Sequence, residues 1–136
     1  MRRDAKVELL RRAPLFDGCS KRQLADIARI TDEIELADGA TLTREGRPPG
    51  QFYVLVDGRV AVSKRGRKIR IRGGSEFFGE IGLLTRAPAN ATVVTTAPSR
   101  ALVITGHDFR ALLSQSPAIQ LRILRSLAER MAPDLL

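Results

Sequence analysis

The sequence predicts a mainly β fold, an antiparallel β-roll of jelly-roll type with helices at both ends. Three observations carry that expectation. Apolar residues recur at helical spacing near both ends of the chain, alternate with polar ones through much of the middle, and are separated there by glycine-bearing turns. Many short strands without helices between most of them imply a roll or barrel.

The first predicted element is a short amphipathic helix from Asp4 to Arg12, with Val7, Leu9 and Leu10 as its apolar residues and Ala13-Pro14 as its stop. Ser20 then opens S-K-R-Q, a capping-box pattern with Gln23 at the third helical position, followed by Leu24, Ile27 and Ala28 on one face. From there the period changes. Ile34 and Leu36 alternate with Glu33 and Glu35, and Ala40 and Leu42 with Thr41 and Thr43, punctuated by Gly39 and Gly46. FYVLVDGRVAV reads as two strands joined in a hairpin at Asp57-Gly58. A turn at Lys64-Arg65-Gly66-Arg67 leads to a strand with Ile69 and Ile71 among Lys68, Arg70 and Arg72. ATVVTT and RALVIT are two further strands around Ala97-Pro98-Ser99. Thr105 begins a capping pattern before a helix carrying Phe109, Leu112 and Leu113. Ser116-Pro117 starts the last helix, lined by Ile119, Ile123, Leu127 and Met131, widened by Leu124 and Ala128, and expected to end near Pro133. The expected organisation is one domain over 1–136, with N-terminal helices in 1–30, a roll in 31–105 and C-terminal helices in 106–133.

Composition narrows the function. A chain of 136 residues, 43% hydrophobic and 28% charged, can bury a core without staples. One cysteine, Cys19, excludes an internal disulfide, and with one histidine, His107, it cannot build a zinc site. The N-terminus lacks a signal-peptide core and no run reaches the ~18 apolar residues of a membrane span, so a cytoplasmic protein is expected. The net charge of +8 raises nucleic acid or anionic membrane as partners. Much of the clustered charge lies in KRGRKIRIR, from Lys64 to Arg72, which reads as a solvated basic hairpin or, second, as a docking patch. No nucleic-acid reading motif accompanies it, and nucleic acid is not the expected partner.

The chemistry concentrates in FFGEIGLLTRAPANATV, from Phe77 to Val93. Phe78-Gly79-Glu80 looks like the entry to a short helix, where glycine permits close backbone approach and exposed amides can receive an anion. A carboxylate beside such a site fits if it accepts from a neutral hydroxyl, since it would repel phosphate itself. Amides for phosphate and Glu80 for a sugar hydroxyl together suggest a nucleotide. A glycine–glutamate pair alone is a weak signal, more often only a turn and a helix start.

The larger pattern is more specific. Helix, strand roll, FGEIGLL, a proline turn, ATV, closing strands and terminal helices resemble the cyclic nucleotide-binding domain over nearly the whole chain. This family includes catabolite activators, regulatory subunits of cAMP-dependent kinase and cyclic-nucleotide-gated channels. Its phosphate-binding cassette reads F-G-E-[LI]-[AG]-L-[LIV], then P-R-[AST]-A-[TS]-V. Phe78, Gly79, Glu80, Ile81, Gly82, Leu83 and Leu84 match the first part, and Pro88, Ala91, Thr92 and Val93 match most of the second, giving a cassette over 78–93. LADGATLTREG and FYVLVDGRVAV also resemble the family's glycine-bearing strand turns.

The resemblance implies that Glu80 and the Gly79 amide bind the ribose 2′-hydroxyl, while amides near Ile81, Gly82 and Ala91 hold the cyclic phosphate. Asn90 stands where some members use Thr or Ser near phosphate and base. Ile69 and Ile71 either flank the base or fill the core, and Leu127 and Met131 either cap the pocket or pack helices. Ala89 departs from the pattern, since it occupies the place of the arginine that pairs with the phosphate. Alanine offers neither charge nor a planar donor fork. Losing a charge-assisted hydrogen bond of roughly 1.5–3 kcal/mol weakens affinity by about tenfold to a few hundredfold. Arg86 either substitutes for it or is a solvated surface residue.

The resemblance therefore implies a ligand-gated, non-enzymatic signalling module that needs no cofactor, with cAMP as the first ligand and cGMP as the second. Because the sequence stops about where the last helix does, a separate protein effector is expected, or else the chain is a fragment. The last helix offers a surface for a homodimer. The alternative is a family member that no longer binds nucleotide and acts through protein contacts. An enzyme or metal protein on a cupin-like roll is the third reading, disfavoured by the shortage of ligands.

Overall fold

The computed structural model describes residues 3–48, 50–73, 77–85 and 87–135. The chain opens with α1 (Arg3–Arg11), a 3-10 turn (Pro14–Phe16) and α2 (Lys21–Arg29). Strands β1 (Thr31–Leu36), β2 (Thr41–Thr43), β3 (Gln51–Asp57), β4 (Arg59–Lys64), β5 (Arg67–Gly73) and β6 (Phe77–Phe78) follow. Helix α3 (Glu80–Thr85) precedes β7 (Thr92–Thr95) and β8 (Ser99–Thr105), and α4 (Gly106–Gln115) and α5 (Pro117–Leu135) close the fold.

Local chemistry sets the helix starts. The Gln23 amide donates to Ser20 Oγ at 3.1 Å and the Ser20 amide to Gln23 Oε1 at 2.8 Å, completing the capping box. Thr105 Oγ1 accepts from the Asp108 amide at 3.1 Å, and Ser116 Oγ from the Ile119 amide at 3.3 Å. Helix α5 runs to Leu135, two residues past the proline near which it is expected to end. A proline so close to the end removes one backbone donor, and helix boundaries shift by a residue or two in any case.

The strands form two antiparallel sheets, ordered β1-β8-β3-β6 and β2-β7-β4-β5. The expected antiparallel roll with N-terminal helices and two C-terminal helices is the architecture observed. The expected hairpin at Asp57-Gly58 is not, because β3 and β4 lie in different sheets. Both edges of β3 are occupied, by β8 and β6, and both edges of β4 by β7 and β5, so neither can accept the other. The turn carries the chain across the roll instead. The hairpin is one step later, where Lys64 pairs with Arg67 around Arg65 (φ 54°) and Gly66 (φ 77°), the geometry of a two-residue primed turn. Lys64, Arg65, Arg67 and Lys68 are exposed on it.

Two cores share the first sheet. On one side Phe52, Val54, Leu102 and Ile104 pack against Leu10, Phe16, Leu24, Ile27, Leu83, Phe109 and Ile119 from the helices and the 3-10 turn. On the other, Tyr53, Leu55, Ala101 and Val103 meet Leu42, Val60, Val62 and Val93 inside the roll. This is why β3 and β8 read as nearly continuous apolar runs, whereas β4 alternates. The rings of Phe16 and Phe52 meet edge-on with centroids 5.8 Å apart. No helix among the described residues is long and apolar enough to cross a membrane.

Candidate functional site

The cassette begins where β6 pairs with β3, Phe78 opposite Tyr53 and Phe77 opposite Val54. Alternation sends the two rings to different cores: Phe77 packs against the helical cluster and Phe78 against the roll interior. Gly79 then turns the chain at φ 92°, a conformation that side chains rarely adopt. A β-carbon there would lie 2.5 Å from the Gln51 carbonyl oxygen, so glycine is needed for space as well as for angle. The Leu83 amide donates to Gly79 O at 3.3 Å, closing the first turn of α3. Leu83 is fully buried among the helices, and Arg110 Nη1 donates to its carbonyl at 3.3 Å. The cassette helix is thus anchored to α4 as well as to the roll.

After α3 the chain returns along β2. The Ala87 amide donates to Thr85 Oγ1 at 3.1 Å, while Pro88 and Asn90 are exposed. Ala89 is half-buried and both its backbone groups are committed: its amide donates to Arg47 O, and its carbonyl accepts from the Gly46 amide, each at 2.9 Å. Two residues on one strand therefore face one on the other, a β-bulge whose first residue is a glycine at φ 84°. The Arg47 amide also donates to Arg44 O at 3.0 Å, making Arg44–Arg47 a turn of type II with its glycine in the third place. Thr43 Oγ1 donates to Ala91 O at 3.0 Å, and Thr92 Oγ1 accepts from the Glu45 amide at 2.9 Å.

Beside these contacts lies a depression of about 460 Å³, lined among others by Thr43, Arg44, Arg47, Gln51 and Tyr53. Its volume is in the range of small-molecule sites. Tyr53 Oη donates to Gln51 Oε1 at 2.6 Å, and burial pushes its phenol above the ordinary value of 10.0. The Glu45 side chain is engaged elsewhere, accepting from the Arg65 amide at 2.8 Å.

Of the sequence-derived residues, Leu83 is buried among the helices while Pro88 and Asn90 are exposed. Phe78, Gly79, Ala89, Ala91 and Thr92 gather around the start of β3 and the β2 turn. Glu80, Ile81 and Gly82 have their backbone in α3, but the side chains of Glu80 and Ile81 lie outside the described residues, as do those of Ile69, Ile71 and Met131, and the whole of Arg86. Leu127 packs against the helical cluster, which is the helix-packing role. Sequence reasoning missed Arg44, Arg47, Gln51 and Tyr53. The R-E-G-R run at 44–47 was visible as a glycine turn, yet nothing local shows that it pairs with Ala89, 42 residues on from Arg47.

A second depression, about 700 Å³, runs between α3, α4 and α5 and is lined by Leu84, Leu113, Leu121, Leu124 and Leu127 with Arg110 at its side. Leu121 and Leu124 are 48% and 64% exposed. Among the described residues no group of three or more His, Cys, Asp or Glu side chains is placed to hold a metal ion.

A two-sheet roll flanked by helices, with a glycine-entered short helix folded back on the β2 turn, defines a class of ligand-binding regulatory domain. The family model of the cyclic nucleotide-binding domain matches residues 33–116, and the chain belongs to that family. It is 28% identical over 129 residues, 91% of its length, to a CRP-like cAMP-activated global transcriptional regulator of Mycobacterium tuberculosis. It is 31% identical over 123 residues, 90% of its length, to a cyclic nucleotide-gated potassium channel of Rhizobium etli. The chain spans 58% of the regulator and 34% of the channel. Among solved structures, the N-terminal domain of a transcriptional regulator from Streptomyces coelicolor matches with a TM-score of 0.83 and 30% identity, covering 93% of this chain and 94% of that one.

Proposed function

We propose that this chain is a non-enzymatic cyclic nucleotide sensor whose first ligand is cAMP and whose second is cGMP. One observation carries the proposal: the segment 78–92 is held against β3 at one end and the β2 turn at the other, at Gly79 and Ala89. That arrangement supports a ligand seat formed by Phe78, Gly79, Glu80, Ile81, Gly82, Leu83, Pro88, Ala89, Asn90, Ala91 and Thr92. Glu80 accepts from a ribose hydroxyl in this reading, and the absence of an arginine at Ala89 lowers affinity. The chain works as one domain in the cytoplasm and passes its state to a separate protein.

Calorimetric titration with cAMP and cGMP tests the proposal. Wild type is expected to bind cAMP, and Glu80→Ala to bind it more weakly at nearly unchanged thermal stability. Equal affinity of the two proteins removes Glu80 from the site.

The exposure of Leu121 and Leu124 supports a second reading, a protein-contact module that has lost its ligand. Titration separates the two, since that reading requires no nucleotide binding at all.

A further inference from the structure

From Ala87 to Thr92 the cassette brings no charged side chain to the ligand seat. A nucleotide phosphate held there by backbone amides gains further from a counter-charge supplied by another part of the chain. The backbone answers where it comes from: the residue hydrogen-bonded across the bulge from Ala89 is Arg47. We propose that Arg47, on the turn between β2 and β3, supplies the guanidinium that holds the phosphate of the bound nucleotide. This rests on the nucleotide-binding reading above and names its missing charge.

Four observations converge on Arg47. It lines the depression with Gln51 and Tyr53, and Tyr53 on β3 pairs with the cassette's own Phe78 on β6. Its backbone is fixed by the Ala89 amide on one side and the Arg44 carbonyl on the other, so its side chain starts from a set position. Their backbones meet across the bulge at 2.9 Å, which puts the space above Ala89 within an extended arginine's length. Among the described residues no ion pair joins Arg47 to the neighbouring Glu45, whose carboxylate accepts from the Arg65 amide. Arg44, on the same depression, adds positive potential without a backbone tie to the cassette. A small residue at position 89 then leaves room for the opposing guanidinium, whereas an arginine there would bring two like charges together.

The test is titration of cAMP into wild type, Arg47→Ala, Arg47→Lys, Ala89→Arg, the Arg47→Ala/Ala89→Arg double variant and Lys21→Ala, each at low and high ionic strength. Arg47→Ala is expected to weaken binding by about tenfold or more, with a smaller loss at high salt. Arg47→Lys falls between, since an ammonium keeps the charge and loses the fork. Ala89→Arg gains more in the Arg47→Ala background than in wild type, and exposed Lys21 on α2 changes nothing. If wild type binds cAMP and Arg47→Ala binds it equally well, the proposal falls while the nucleotide reading stands. A loss identical at both salt concentrations marks a steric role and also overturns it. Absence of cAMP and cGMP binding in wild type removes both readings together.

Discussion

Gly79 is the residue on which the cassette geometry depends most directly. Its φ of 92° and the 2.5 Å separation between an added β-carbon and the Gln51 carbonyl oxygen leave no unstrained alternative. Gly79→Ala is expected to lower stability in urea unfolding by about 1–3 kcal/mol and to weaken nucleotide binding, because backbone must move to fit the methyl. Unchanged stability would mean that the turn is adaptable. Ala89 leads to the opposite kind of prediction. In the Arg47→Ala background, adding arginine there raises cAMP affinity by about tenfold if its fork reaches the phosphate, and by more than Ala89→Lys does. The opposing Arg47 reduces that gain, so a full tenfold rise in wild type argues that Arg47 points elsewhere. Tyr53 gives the same site a pH signature. Its folded phenol titrates above its ordinary value of 10.0, so its contribution to stability is complete below that pH and is lost as pH climbs through the folded value. Tyr53→Phe is expected to flatten the alkaline limb of the stability curve.

The helices show what a single chain segment reveals about itself. Ser20, Thr105 and Ser116 were readable as starts because a cap is made by residues three apart. The strands at Asp57-Gly58 were misread because hairpin chemistry is local, while the availability of a sheet edge depends on β6, β7 and β8, far along the chain. The same gap hid Arg47 opposite Ala89. Helix α5 is held to the N-terminal segment by Ser126 Oγ, which donates to Pro14 O at 2.6 Å, and by Arg122 Nη2, which donates to Asp17 O at 3.3 Å. Cys19 is buried beside them, and burial raises its thiol above the ordinary value, Arg122 opposing and Asp17 adding. Ser126→Ala is expected to remove about 1 kcal/mol and to speed labelling of Cys19 by a thiol reagent. An unchanged labelling rate would show that the thiol is exposed by a movement other than release of α5. The sign for pH follows as for Tyr53: the protonated thiol stabilises the fold below its ordinary value, and that contribution is lost as pH rises past it.

For the molecule as a whole, the first sheet is the wall between the helical core and the roll interior. Amides of β3 and β8 are therefore expected to exchange most slowly with deuterium, ahead of those of β2, β5 and β7. Slower exchange in the second sheet would place the centre of stability elsewhere. The family was legible because the cassette motif is one continuous run over 78–93, and the roll because strand alternation recurs through the middle of the chain. The seat's flank at 44–53 was not, because its members acquire their meaning only when the chain has folded back on Ala89. The wall itself has a further consequence. A residue in the middle of β3 has no outdoor side: enlarging Val54 pushes into the helices, and enlarging Leu55 pushes into the roll. Phe77 and Phe78 repeat that division within two adjacent positions, like the pans of a balance on one beam. Whatever fills the roll is thereby weighed against the packing of the helices behind it.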